Sequence, residues 1–245
     1  MAVLIGVISA RQGVGATTRA VSLAYQLART RSVLLADLDG AGGTVCDLLA
    51  LDPGGRGVAN LYAANVPSIP VAALEEQAIR VPRRERLRVV PSVREGCGPE
   101  PAELVPMLSG ALQALPDDVV IADLGAALAY PGMRSPWVVG QALARSFPRL
   151  VIVMNDDMYL SPIQIQVVRN ARLPHAEVIM TTRSRSEKRR RPPWPIIDHG
   201  LNREVRRYLD RAAPDLVVQV LWPWQGAPVL KPMACDAFAR QLSLL

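Results

Sequence analysis

Apolar, β-branched runs recur along the chain, and the first of them, Ala2 to Ser9 (AVLIGVIS), predicts a strand covered on both faces. Ser32 to Asp37 (SVLLAD), Asp118 to Leu124 (DVVIADL), Arg149 to Met154 (RLVIVM), Ala176 to Thr181 (AEVIMT) and Leu216 to Leu221 read in the same way. Helical periodicity fills the intervals. Ala20, Leu23, Ala24 and Leu27 share one helical face, and further helices are expected over Ala102 to Leu115, Arg134 to Arg145 and Leu160 to Arg172. Toward the end, Asn202 to Ala212 reads as an Arg-rich helix. Ala234 to Leu245 reads as a closing helix with Phe238, Leu242 and Leu245 on one face. Strands alternating with helices predict an α/β fold: a doubly wound, mostly parallel sheet with helices on both faces. No internal repeat or low-complexity linker interrupts the pattern, so residues 1–245 are expected to form a single domain.

Composition narrows the setting. The chain has 245 residues, half of them hydrophobic and a fifth charged, enough to bury a core without covalent staples. Its three cysteines, Cys46, Cys97 and Cys235, have neither disulfide nor metal-ligand spacing, which points to a reducing, cytoplasmic setting. No apolar run reaches the roughly 18 to 20 residues of a membrane-spanning helix, and Met1 to Ser9 lacks the basic leader of a signal peptide. The net charge is +6, and Lys188 and Lys231 are the only lysines among 28 basic side chains. Any chemistry that needs a lysine therefore has almost none to draw on.

The candidate chemistry follows the first strand. Arg11-Gln12-Gly13-Val14-Gly15-Ala16-Thr17-Thr18 lies between that strand and a helix, where backbone N–H groups and the positive end of a helix can hold phosphates. The second strand ends in Asp37-Leu38-Asp39 before Gly40, Gly42 and Gly43, and the strand from Asp118 ends at Asp123 before a flexible stretch, Gly125 to Gly132. Carboxylates at the carboxyl ends of buried strands stand where open α/β sheets place their ligands. Singly, Thr17 and Thr18 read as helix caps and the aspartates as strand ends. As a set on one sheet edge they read as a site.

These three segments, in this order, resemble the MinD/ParA class of P-loop ATPases. That class has a deviant Walker A motif K-G-G-x-G-K-T-T, a strand ending D-x-D, and a Walker B strand ending in Asp. The resemblance extends to about Thr182. It implies that residues 11–18 bind ATP or ADP with Mg²⁺. Thr17 would hold the metal through its hydroxyl and Thr18 would contact the α phosphate. Asp123 would order the metal's water shell, Asp37 would support it, and Asp39 would position the attacking water.

The departures set the functional expectation. Arg11 stands at the signature lysine that in the family reaches a partner's nucleotide across a dimer, Gln12 replaces a glycine, and Ala16 replaces the lysine along the β and γ phosphates. Losing such a charge-assisted bond, worth roughly 1.5 to 3 kcal/mol, weakens nucleotide binding by about ten- to a hundredfold. Turnover suffers more, because phosphoryl transfer depends on stabilising developing phosphate charge. A weak nucleotide binder or pseudo-ATPase is the expectation. Within the class, G-x-G-[AS]-[ST]-T is most similar to the CpaE and TadZ branch, which marks sites for pilus or secretion machinery, and to its septum-site relatives. Many of those carry an N-terminal receiver-like domain. Here the P-loop strand begins at Ala2, so none is expected. Accessory proteins of bacterial cellulose synthesis (BcsQ-like) have a similar length and altered loops.

A second segment, residues 183–193, carries Arg183, Arg185, Lys188, Arg189, Arg190 and Arg191 beside Pro192 and Pro193. Its simplest reading is a solvated loop. Its functional readings are nonspecific DNA contact or attraction to an anionic membrane surface, with a peripheral place at the inner face of the membrane. Trp194, Trp222 and Trp224 suit core or turn packing, or anchoring of a partner protein. His175 and His199 have no ligand-spaced neighbours. The expected partners are a second copy of the chain and the protein components of an envelope, pilus or secretion assembly. The rival readings are a working ATPase switch in which an arginine replaces the missing lysine, and a partition-type DNA-binding protein.

Overall fold

The computed structural model describes residues 2–63, 68–82, 84–92, 101–128, 138–155, 161–171, 173, 176–182 and 217–223. The predicted strands form at β1 (Val3–Ser9), β2 (Val33–Asp37), β5 (Val119–Asp123), β6 (Arg149–Asn155), β7 (Ala176–Thr182) and β8 (Val217–Pro223). Two more were not expected, β3 (Ile79–Val81) and β4 (Arg84–Val90). They join one eight-stranded sheet in the order β3-β4-β2-β5-β1-β6-β7-β8, in which every pairing is parallel except β3 with β4.

The helices are α1 (Ala16–Leu27), α2 (Val45–Leu49), α3 (Val58–Ala63), α4 (Val71–Gln77), α5 (Pro101–Gln113), α6 (Val138–Ser146) and α7 (Ser161–Ala171). The expected starts of α6 at Arg134 and of α7 at Leu160 lie outside the described residues, as do the helices expected over Asn202 to Ala212 and Ala234 to Leu245.

Strand alternation divides the core into two layers, each side of a strand taking every second residue. Ile5, Val7, Val33, Leu35, Val119, Ile121, Val151 and Val153 pack with Ala20, Leu23, Ala24 and Leu27 of α1, all buried as their helical spacing requires. Leu4, Ile8, Leu34, Ala36, Val120, Ala122 and Ile152 pack on the other face with Leu108 and Leu112 of α5, Leu143 of α6 and Val168 of α7. The central strands are thus apolar on both sides, which is why their sequences lack polar alternation. Continuing the two-residue period, Asp37 and Asp123 fall on the α1 face, at the carboxyl ends of neighbouring strands.

Outside this frame, Arg88 on β4 pairs with the buried carboxyl of Asp117 and, at 3.5 Å, with Glu75 of α4. Arg84 at the start of β4 stacks 4.2 Å from the ring centroid of Tyr25 on α1.

Candidate nucleotide-binding site

The site is assembled at the topological switch point. The chain leaves β1 through α1 toward β2 on one side of the sheet, and leaves β5 through α6 toward β6 on the other. Between β1 and α1, residues 11–13 are exposed whereas Val14 and Ala16 are buried, so the loop is anchored at its base and open at its rim. Gly13 and Gly15 hold φ of 73° and 91°, a region costly for side-chain-bearing residues. A Cβ built on either would meet nothing within 4 Å. The loop bends tightly while the space beside it stays open.

Gly15 caps α1 with no side-chain hydrogen bond, and the first turn has no acidic residue. The capping role open to Thr17 and Thr18 in the sequence is therefore not the one they play: both lie inside the helix, and the Thr18 carbonyl accepts a hydrogen bond from the Ser22 hydroxyl (2.6 Å). The leading N–H groups of α1 are left to face an anion. The Ser9 hydroxyl, at the end of β1, donates to the carbonyls of Arg11 (2.9 Å) and Gly125 (3.2 Å), tying the loop's first residue to the segment after β5. Arg11 itself is exposed at the rim, and Ala16 is seven per cent exposed, with only a methyl group where charge is expected.

The carboxylates come from β2 and β5. Asp37 and Asp123 are direct register partners, both almost fully buried. Both Asp37 oxygens are engaged, Oδ1 by the Asp39 amide (3.3 Å) and Oδ2 by the Val45 amide (3.1 Å). Burial, and then the charge of Asp123, push the Asp37 carboxyl up to about 8, against the lowering effect of those two amides. Asp123 is pushed up to about 6, also chiefly by burial, while the Thr17 hydroxyl and the Gly125 amide pull it down. Its Oδ1 accepts from Gly125 (3.1 Å), but its Oδ2 is buried with no hydrogen-bond partner. Asp39 is half-buried, accepts the Ala41 amide on Oδ1 (3.0 Å), and lies where a Cβ on Gly125 would stand.

These features bear on Mg²⁺. Among the described residues no three His, Cys, Asp or Glu side chains converge to form a complete metal cage. Mg²⁺ is commonly held by one or two protein groups together with substrate phosphates and water. The orphaned Oδ2 of Asp123, with the Thr17 hydroxyl against the same carboxyl, fits that role. Asp37, spent on backbone amides, fits a supporting one.

The structure brings together the segments that carry the sequence candidates, residues 11–18, Asp37, Asp39 and Asp123. The sequence did not single out Ser9 and Gly125, nor Gly43, whose amide donates to the Ser92 hydroxyl (2.9 Å). The glycine clusters after β2 and β5 signalled tight turns there, and nothing in the sequence signalled Ser92. The basic candidates Arg183, Arg185, Lys188, Arg189, Arg190 and Arg191 lie outside the described residues.

No family model and no curated protein matches the chain. Solved structures do. MinD in the MinC:MinD cell division complex of Aquifex aeolicus superposes with a TM-score of 0.69 at 17% identity, over 99% of this chain and 96% of that one. A ParA family ATPase from Chlorobium tepidum gives 0.64 at 16%, over 100% and 95%. The septum site-determining protein MinD of Pyrococcus horikoshii, complexed with Mg-ADP, gives 0.54 at 20%, over 79% and 75%. At such identities the shared property is architecture: the chain has the doubly wound, mostly parallel P-loop fold of the MinD and ParA proteins.

Proposed function

We propose that the protein binds a Mg²⁺-nucleotide weakly, turns it over at or near background, and serves as a positioning factor of the MinD/ParA type for a cell-envelope, pilus or secretion assembly. The observation that carries the nucleotide reading is the conjunction at β1, α1 and β5. An open glycine loop leads into a helix with no side-chain cap, and Asp123, whose carboxyl meets the Thr17 hydroxyl, has a buried Oδ2 with no partner. The main-chain amides would hold the phosphates, Thr17 and Asp123 would hold Mg²⁺, and that ion would neutralise phosphate charge. The buried methyl of Ala16 supports the second half of the proposal, because no side chain of that residue can follow phosphate charge as it develops. The assignment to the CpaE and TadZ branch rests on the loop sequence Gly13-Val14-Gly15-Ala16-Thr17-Thr18.

Calorimetry with ATP and ADP, with and without Mg²⁺, tests the reading. Weak, Mg²⁺-dependent binding is expected. Ala16→Lys is expected to tighten it by about tenfold or more, the worth of one charge-assisted bond. No binding by the wild-type protein, or an unchanged affinity in Ala16→Lys, would count against a retained pocket.

One observation favours a second reading, a working ATPase switch. Arg11 is exposed at the rim of the loop with its backbone fixed by Ser9, so its guanidinium can be presented to a phosphate as a bidentate donor. Mg²⁺-dependent turnover that is lost in both Arg11→Ala and Asp39→Ala would establish that reading in place of the first.

A further inference from the structure

Three loops meet beyond the carboxyl ends of β2, β4 and β5, and two glycines let them close on one another. A Cβ built on Gly43 would fall inside the Asp37 carboxyl group. Gly43 is not among the glycines with positive φ, so the backbone would accept a side chain there. The three atoms nearest to such a Cβ all belong to the Asp37 carboxyl group. The amide of Gly43 donates to the Ser92 hydroxyl (2.9 Å), two residues beyond the end of β4. Asp37 is thus held by the Asp39 and Val45 amides and by the bare Cα of Gly43, and Gly43 is held by Ser92.

We propose that Gly43 and Ser92 are positioning residues for the metal side of this site, an inference that rests on the Mg²⁺-nucleotide reading. The reason lies in the register. Asp37 stands directly beside Asp123, whose carboxyl meets the Thr17 hydroxyl and whose Oδ2 is buried with no hydrogen-bond partner. A carboxyl freed from its amides would be able to swing toward its register neighbour and crowd that oxygen. It would then compete with the metal. Keeping Asp37 on the backbone of the loop 38–45 keeps it away from the unpartnered Oδ2 of Asp123. Ser92 makes the end of β4, a strand outside every recognised motif, part of that arrangement. Outer-shell groups of this kind typically alter metal affinity by about ten- to a hundredfold when removed.

The test is calorimetric titration of ATP into the full chain, with and without Mg²⁺, for the wild type, Ser92→Ala, Ser92→Thr and Gly43→Ala, with melting followed in parallel. The expected result is a loss of about tenfold or more in the Mg²⁺ enhancement of ATP affinity in Ser92→Ala and Gly43→Ala. Mg²⁺-free affinity should change by less than about twofold, and Ser92→Thr, which restores the acceptor, should restore the enhancement. If Gly43→Ala does not fold, Ser92→Ala decides, since it removes one acceptor and adds no bulk. A Mg²⁺ enhancement kept intact in Ser92→Ala, whatever its melting point, overturns the positioning role and leaves the nucleotide reading standing. A wild-type protein that binds no ATP overturns both.

Discussion

The Asp37 carboxyl is a charge the fold prefers not to carry. It is pushed up to about 8 in the native state, whereas an unfolded chain ionises it above about 4. Over that interval the unfolded state binds fewer protons than the folded one, so this group's contribution makes stability fall as pH rises from about 4 to about 8. Asp123, pushed up to about 6, adds to the fall between about 4 and 6. Urea unfolding of the metal-free protein at pH 5 and pH 8 checks this. The drop in stability is expected to be smaller in Asp37→Asn than in the wild type. Saturating Mg²⁺ with nucleotide, which favours the ionised forms, is expected to flatten the wild-type slope. Gly15 illustrates a different residue-scale cost. With φ of 91° and open space around it, Gly15→Ala meets no steric obstacle and is charged only for the backbone, about 1 to 2 kcal/mol by denaturant unfolding.

At the scale of elements, β4 carries the clearest stability prediction. Arg88 neutralises Asp117, whose side chain is four per cent exposed, so Arg88→Ala strands a buried charge. Breaking a buried pair costs roughly 3 to 5 kcal/mol. Arg88 is itself partly open to water, which puts the expected loss near the lower figure, and chemical denaturation measures it. The same strand shows why part of the fold was illegible. Arg84-Glu85-Arg86-Leu87-Arg88-Val89-Val90 is more than half charged, yet Leu87 and Val89 point into the α1 layer. The alternation around Leu87 and Val89 is the only strand signal there, and it spans too few residues to stand out among the charges. Helices α2, α3 and α4 span five, six and seven residues, too short for a helical period to register. By contrast β1, β2 and β5 were read almost to the residue and the buried face of α1 was recognised, because each is buried on a full face and its composition says so.

For the molecule as a whole, the order of the motifs along the chain was legible, and so was the parallel, doubly wound architecture that brings them together. What the sequence withheld was the way the carboxylates are spent. Asp37 looks as available as Asp123 until the amides of Asp39 and Val45 are seen to occupy it. Contacts of that kind run through backbone amides, which carry no sequence signature.

The strand order has a further consequence. β5, beginning at Val119, lies between β1 and β2, which make no pairing with each other. Until about half of the chain has been made, the facing edges of β1 and β2 each present an unpaired rail of amides and carbonyls, with no strand between them. Fragments ending ahead of Val119 are therefore expected to precipitate or to bind chaperones, whereas those extending past Asp123 can close the gap. A nested series of C-terminal truncations, scored for solubility, should show a step as β5 is completed.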